Sequence, residues 1–211
     1  MKNFLNNIFY KKCILCCSKQ EKSLCKTCSK QIKNFKKDFD KFICSKPVYS
    51  AFYYKNEIKK LILKYKFQGK KSLYKDFSEF LVEYYLNSEL KNIKNPIFIP
   101  TPSHFIKNFK RGYCHNNLII KEFCTTLKFD YNFNILYKSK LTKSQFRVSA
   151  NKRIKNIQNS FKLKNLSIIE KSRNIIIFDD IITTGATLSE ITKIFNKEGY
   201  FNIYYLTLSS V

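Results

Sequence analysis

Two adjacent carboxylates, Asp179 and Asp180, follow the apolar run Ile175-Ile176-Ile177-Phe178 and precede Ile181-Ile182 and the turn Thr183-Thr184-Gly185-Ala186-Thr187. Four apolar residues ending on charge read as a buried central strand. The small-residue turn then opens directly into a helical pattern. Such a turn presents successive backbone N–H groups and hydroxyls at a helix N-terminus, where the dipole favours a phosphate. Carboxylates at a strand tip accept hydrogen bonds from vicinal sugar hydroxyls. Together the two features describe a ribose-5-phosphate cradle at the carboxyl end of a parallel strand, the usual ligand position in such sheets. A metal site or a charged strand end accounts for the Asp-Asp pair alone, but not for the turn that follows it.

A second constellation lies near the N-terminus. Cys13-Ile-Leu-Cys16 and Cys25-Lys-Thr-Cys28 are two C-x-x-C pairs with eight residues between them. Each pair sets two sulfurs around one turn, and two such knuckles supply the four thiolates of a tetrahedral zinc site. Zn²⁺ offsets the mutual repulsion of the thiolates and orders a segment too small for its own core. All four positions are filled by protein, so the role is structural. A redox C-x-x-C or buried free thiols are the alternative, and Cys17 can stand in for Cys16. Cys44, Cys114 and Cys124 stand apart and read as ordinary buried thiols.

The elements that must position these groups follow from periodicity. Residues 29–42 read as a short basic helix with Ile32, Phe35 and Phe39 on one face, and residues 48–54 as a first strand. Ile58, Leu61, Ile62 and Tyr65 fall at helical spacing, Gly69 ends that helix, and Leu73, Phe77, Phe80, Leu81 and Tyr84 repeat the pattern. Residues 96–102 form a short strand running into a loop, 118–127 a helix and 131–136 a strand. The polar stretch 137–160 suits a functional lid better than an ordinary loop. The strand at 175–178, a helix over 187–197 capped by Gly199 and a strand over 201–208 complete the chain. Strands alternating with helices predict a parallel α/β sheet. The chain divides into a zinc-binding module with linker helix, residues 1–44, and a main domain, residues 45–211.

Composition sets the outer bounds. The 211 residues include 40 Lys and Arg against 15 Asp and Glu, a net charge of +25, with 44% hydrophobic residues. That apolar content excludes a disordered basic tail. The opening MKNFLNNIFYKKC is too short and polar for a signal peptide, so a cytoplasmic location is expected. Only Arg111, Arg147, Arg153 and Arg173 are arginines; the other basic residues are lysines spread along the chain. Such a surface attracts polyanions at low salt without selecting among them. Residues 1–44 carry eleven lysines and three acids, a denser excess than the rest. No G-x-G-x-x-G or Walker motif is present. Neither His104 nor His115 sits in a recognisable nucleophile pattern, so a hydrolase triad is not expected; His115 reads as a packing or exposed residue, with lining of the site as the alternative.

The stretch from Asp179 to Thr187 closely resembles the phosphoribosyl pyrophosphate (PRPP) signature of type I phosphoribosyltransferases, two acidic residues before a TTG-x-T loop. The chain as a whole is similar to the ComF family, which joins a four-cysteine zinc module to a phosphoribosyltransferase domain. The cysteine quartet matches that module. Lys66-Phe67-Gln68-Gly69 resembles the family's Lys-aromatic-x-Gly, Ile99-Pro100-Thr101-Pro102 its Val-Pro-x-Pro loop, and Arg111-Gly112-Tyr113 its Arg-Gly-Phe. Gln145, Arg153, Asn156 and Phe161 fall at the spacing of its Gln…Arg-x-x-Asn…Phe segment. The family's Asn-Gln after Arg-Gly-aromatic is replaced here, where Cys114 and His115 precede Asn116.

The resemblance implies a type I phosphoribosyltransferase fold binding PRPP with Mg²⁺. Asp179 and Asp180 would hold the ribose hydroxyls, and Thr183, Thr184, Gly185, Ala186 and Thr187 the 5-phosphate. Pro100 and Thr101 would lie at the pyrophosphate. In phosphoribosyl transfer the ribose gains oxocarbenium character while charge builds on pyrophosphate, so cations and exclusion of water are needed. Arg111 and Arg153 are candidates for that neutralisation, as is Lys66; surface pairing is the alternative for the arginines. Residues 137–160 are the candidate lid. The family association is with DNA uptake in natural transformation, with single-stranded DNA and competence proteins such as a ComF-operon helicase as candidate partners. Three readings follow: a phosphoribosyltransferase with an unknown acceptor, a non-catalytic PRPP sensor or DNA-receiving scaffold, and a nucleic-acid module without small-molecule function. The intact Asp-Asp pair and TTGAT turn speak against the third.

Overall fold

The structure is a computed structural model that describes residues 11–33, 41–103, 109, 112–139 and 157–211. Arg111, Arg153, Gln145, Asn156, Phe35 and Phe39 lie outside the described residues, as does most of the expected lid.

The apolar run after Arg173 forms β9 (Ile175–Ile182), flanked on one side by β10 (Ile203–Ser210) and on the other by β5 (Ile97–Pro100). All three pair in parallel. β4 (Lys46–Tyr53) continues the parallel sheet beyond β10, and β6 (Asp130–Tyr131) continues it beyond β5. The short β3 (Lys41–Ile43) closes one edge antiparallel to β4, giving the order β3-β4-β10-β9-β5-β6. A central parallel strand needs apolar residues on both faces. β9 supplies them, Ile176 and Phe178 to one core and Ile175 and Ile177 to the other.

One face is covered by three helices, α2 (Asn56–Phe67), α3 (Leu73–Leu86) and α4 (His115–Leu127). Phe98, Phe123, Phe129 and Tyr85 pack there edge-to-face and stacked, with centroids 5.1–6.4 Å apart. The other face is covered by α5 (Ala186–Lys197) and by a two-stranded ladder of β7 (Leu136–Lys138) with β8 (Phe161–Leu163). The two ends of the polar stretch are thus pinned together, and Ser139 N–H donates to Ser160 O at 2.8 Å.

The N-terminal segment pairs β1 (Lys11–Lys12) with β2 (Lys19–Gln20) and continues into α1 (Lys26–Lys33). Cys13, Leu24, Cys28 and Ile32 join the same core as α2 and α3. Three expectations shift. The helix expected over 29–42 begins at Lys26 within the second knuckle, and residues 41–43 are strand. The helix expected from Leu118 begins at His115. The strand expected over 131–136 is two pieces, β6 and β7, in different sheets. Among the described residues no helix is long and apolar enough to cross a membrane.

Candidate functional site

From β5 the chain passes through α4 to β6 on one side, and from β9 it passes through α5 to β10 on the other. The order therefore reverses between β5 and β9, and the carboxyl ends at that switch point frame a crevice. Thr101 leaves β5 there, and Asp179 and Asp180 lie in the last half of β9.

The two carboxylates have different partners. Asp179 Oδ1 accepts from Thr101 Oγ1 at 2.6 Å, Asp180 N–H at 3.0 Å and Asn116 Nδ2 at 3.3 Å. Asn116 Nδ2 also donates to Thr101 Oγ1 at 2.8 Å and Thr101 O at 3.1 Å, which orients the hydroxyl toward the carboxylate. All three donors fall on one oxygen of Asp179. Asp180 Oδ2 instead meets Lys66 Nζ at 2.6 Å and His115 Nε2 at 2.7 Å. Burial, and then the neighbouring Asp180 charge, push the Asp179 carboxyl up to about 6. Burial also works to raise Asp180, but the Lys66 ammonium and then His115 outweigh it and hold that carboxyl below the usual range.

α2 and α4 deliver these partners. Tyr65, one residue before Lys66, donates its hydroxyl to His115 O at 2.8 Å, and Tyr113 donates its own to Tyr65 O. Asn116 is 1% exposed and its Oδ1 has no hydrogen-bond partner among the described residues, so the amide is held through its Nδ2.

Beyond β9, Gly185 takes φ +77° and caps α5. A Cβ there would lie 2.3 Å from Ile43 Cδ1, so the turn needs glycine both for its left-handed backbone and for the side chain of β3 above it. Lys41 Nζ donates to Thr183 O at 2.9 Å. A planar trans peptide whose carbonyl faces Lys41 points the N–H of Thr184 the opposite way.

Of the residues expected at the site, Asp179, Asp180, Thr101 and Lys66 converge, with Pro100 ending β5 and the TTGAT turn next along the chain. Lys66 is engaged with Asp180. Asn116 is an addition to the expected set, and His115 takes the alternative reading, lining the site: it is 5% exposed and paired to a carboxylate rather than packing or facing solvent. Their only sequence signal is their place after Arg111-Gly112-Tyr113. Ser103 and Lys41 carry no sequence signal, whereas Tyr65 falls at helical spacing and Tyr113 in the Arg-Gly-aromatic motif.

In the N-terminal segment, one ligand atom from each of Cys13, Cys16, Cys25 and Cys28 lies within 4.8 Å of the others. Tetrahedral zinc thiolates stand about 3.8 Å apart given Zn–S bonds of about 2.3 Å, and Cys16 Sγ to Cys25 Sγ is 3.6 Å. Backbone N–H groups of Cys25 and Cys28 point at Cys13 Sγ and Cys25 Sγ, both at 3.4 Å, as a thiolate cluster requires. The donor set fits a structural zinc ion. Cys16, not Cys17, faces the cluster; Cys17 occupies the turn at φ +62°.

Sheet order, switch-point carboxylates and the turn into α5 define an α/β protein with a largely parallel sheet and a crevice at its switch point, joined to an N-terminal four-cysteine cluster. The chain is similar to competence protein F from Haemophilus influenzae, 27% identical over 94% of this chain and 95% of that protein. DNA utilization protein YhgH of Escherichia coli K12 is 26% identical over 44% of this chain and 40% of its own length. Among solved structures, adenine phosphoribosyl transferase from Trypanosoma brucei with AMP, pyrophosphate and ribose-5-phosphate has TM-score 0.41 and 12% identity, covering 86% of this chain and 78% of that one. The allosteric regulatory enzyme of purine biosynthesis has TM-score 0.39 and 14% identity, covering 64% of this chain and 25% of that one. No family model matches.

Two outcomes follow from this geometry. The folded-state value of Asp179 lies above its unfolded value, so folded protein holds the proton more tightly. The associated stability is complete below about pH 4 and is lost as pH rises through about 6. Asp179→Asn should match wild type in urea unfolding near pH 4 and exceed it at pH 8, by on the order of 1–3 kcal/mol; a variant less stable at pH 8 would contradict the burial account. Metal analysis should find one zinc per chain, retained in Cys17→Ser and lost in Cys16→Ser.

Proposed function

We propose that the chain binds Mg²⁺–PRPP at the switch-point crevice and acts in DNA uptake during natural transformation. The observation that carries the ligand reading is the Asp179-Asp180 pair in the last half of β9, followed two residues later by a small-residue turn that starts α5. The names of the two relatives, competence protein F and DNA utilization protein, support the process.

In this reading the ribose hydroxyls donate to Asp179, whose Oδ1 is already steadied by three donors. The N–H groups and hydroxyls of Thr183, Thr184, Gly185, Ala186 and Thr187 receive the 5-phosphate, and Lys41 keeps the turn in shape. Pyrophosphate lies toward Pro100 and Thr101. Mg²⁺ supplies charge neutralisation on the pyrophosphate when bound. Arg111 and Arg153, carried from the family resemblance, add to it, and residues 137–160 are the candidate lid that limits bulk solvent at the crevice. Zinc in the cysteine quartet is structural, and the protein works in the cytoplasm. The reaction class is phosphoribosyl transfer to an unidentified acceptor.

One observation favours a second reading: the lysine excess over residues 1–44, which suits a polyanion. A non-catalytic PRPP sensor or single-stranded-DNA-receiving scaffold would use the same crevice for regulation, with competence proteins as partners.

Calorimetric titration of Mg²⁺–PRPP should give one saturable site. The Asp179→Asn, Asp180→Asn double variant, folded by circular dichroism, should lose affinity by about tenfold or more, the scale of lost hydrogen bonds to charged groups. Unchanged affinity in the folded variant would overturn the site. No binding by zinc-loaded wild type would favour the scaffold, and salt-dependent binding of single-stranded DNA would then carry it.

A further inference from the structure

Ser103, in the loop that leaves β5, places its Oγ 3.3 Å from His115 Nδ1, and His115 Nε2 lies 2.7 Å from Asp180 Oδ2. A hydroxyl, an imidazole and a carboxylate thus stand in line, although no spacing in the sequence announces them. We infer that Ser103, His115 and Asp180 form a proton relay that activates a hydroxylic acceptor, water being the smallest, for attack on the ribose. The inference rests on the proposed PRPP site and adds to it the class of acceptor.

The chemistry needs the imidazole in one neutral form. Asp180 beside Nε2 favours the tautomer with its proton there, which leaves Nδ1 to accept from Ser103 Oγ–H. Lys66, 2.6 Å from the same carboxylate oxygen, keeps Asp180 ionised, so it orients the ring without taking the proton. The ring is further held by Tyr65, which bonds the His115 carbonyl and meets the imidazole edge-on at 6.4 Å. Burial is graded along the line: Asp180 and His115 are each 5% exposed, and Ser103 is half-buried, so the serine is the end that meets a substrate.

The step balances as follows. The bond from C1 to pyrophosphate breaks, and its electron pair leaves with pyrophosphate. The acceptor oxygen bonds to C1. Its proton passes to Ser103 Oγ as the serine proton moves to His115 Nδ1, and the imidazolium formed is paired with Asp180. That proton is returned to solvent after the products leave. With water as acceptor the products are ribose 5-phosphate and pyrophosphate.

The test measures pyrophosphate release from Mg²⁺–PRPP with no added acceptor, alongside PRPP affinity by calorimetry, in wild type, Ser103→Ala and His115→Gln. Glutamine keeps a hydrogen bond to Asp180 but cannot carry a proton. The relay predicts release by wild type, at least about tenfold slower in both variants, within the usual range for general-base groups, and affinity within about threefold of wild type, well under one hydrogen bond to a charged group. Release at the wild-type rate in both variants, or none from wild type that binds PRPP, overturns the relay and leaves the ligand site standing. Failure of wild type to bind PRPP overturns the site itself, and the relay with it.

Discussion

The arrangement of the molecule turns on two adjacent carboxylates in the last half of a buried strand. Charge removed from water is tolerated only where neighbours replace the water. Asp180 has an ammonium and an imidazole; Asp179 has a hydroxyl, an amide and a backbone N–H on one oxygen. Supplying them requires α2 to end beside β9, α4 to begin there and the loop after β5 to cross between. Removing one partner of a buried ion pair typically costs about 3–5 kcal/mol, because the other charge is left bare. The site and the junction of three elements are therefore one structure.

The same helix carries this constraint to the cysteine module. Lys64 donates to Ile14 O at 2.7 Å inside the first knuckle, Tyr65 bonds the His115 carbonyl and Lys66 pairs with Asp180. Three consecutive residues thus tie the thiolate cluster to the crevice. Lys22–Glu79 and Lys33–Glu83 add exposed pairs across the same boundary, which contribute little beside the shared apolar core of Cys13, Leu24, Cys28 and Ile32. The cysteine quartet's segment thus shares a core with α2 and α3.

How much of this the sequence discloses depends on whether the determinant is local. The strand at 175–178, the turn into α5 and the helices at 58–65 and 73–84 are written in apolar spacing, and each stands where periodicity places it. The cysteine pairs are legible for the same reason, since spacing alone fixes two sulfurs per turn. His115 and Asn116 are different. Their roles come from α4 starting three residues early and from the sheet order that brings it to β9, neither of which leaves a local pattern. Ser103 and Lys41 depend likewise on contacts between segments distant in sequence. The start of α1 was misplaced because the knuckle's last cysteine is already helical.

The central claim is that a phosphoribosyl ligand occupies the crevice between the ends of β5 and β9. Hydrogen–deuterium exchange with and without Mg²⁺–PRPP locates it directly. The account predicts slower exchange at the backbone of residues 179–187 and 100–103, with the cysteine module unchanged. Protection confined to residues 11–33, or none at the turn before α5, would contradict it.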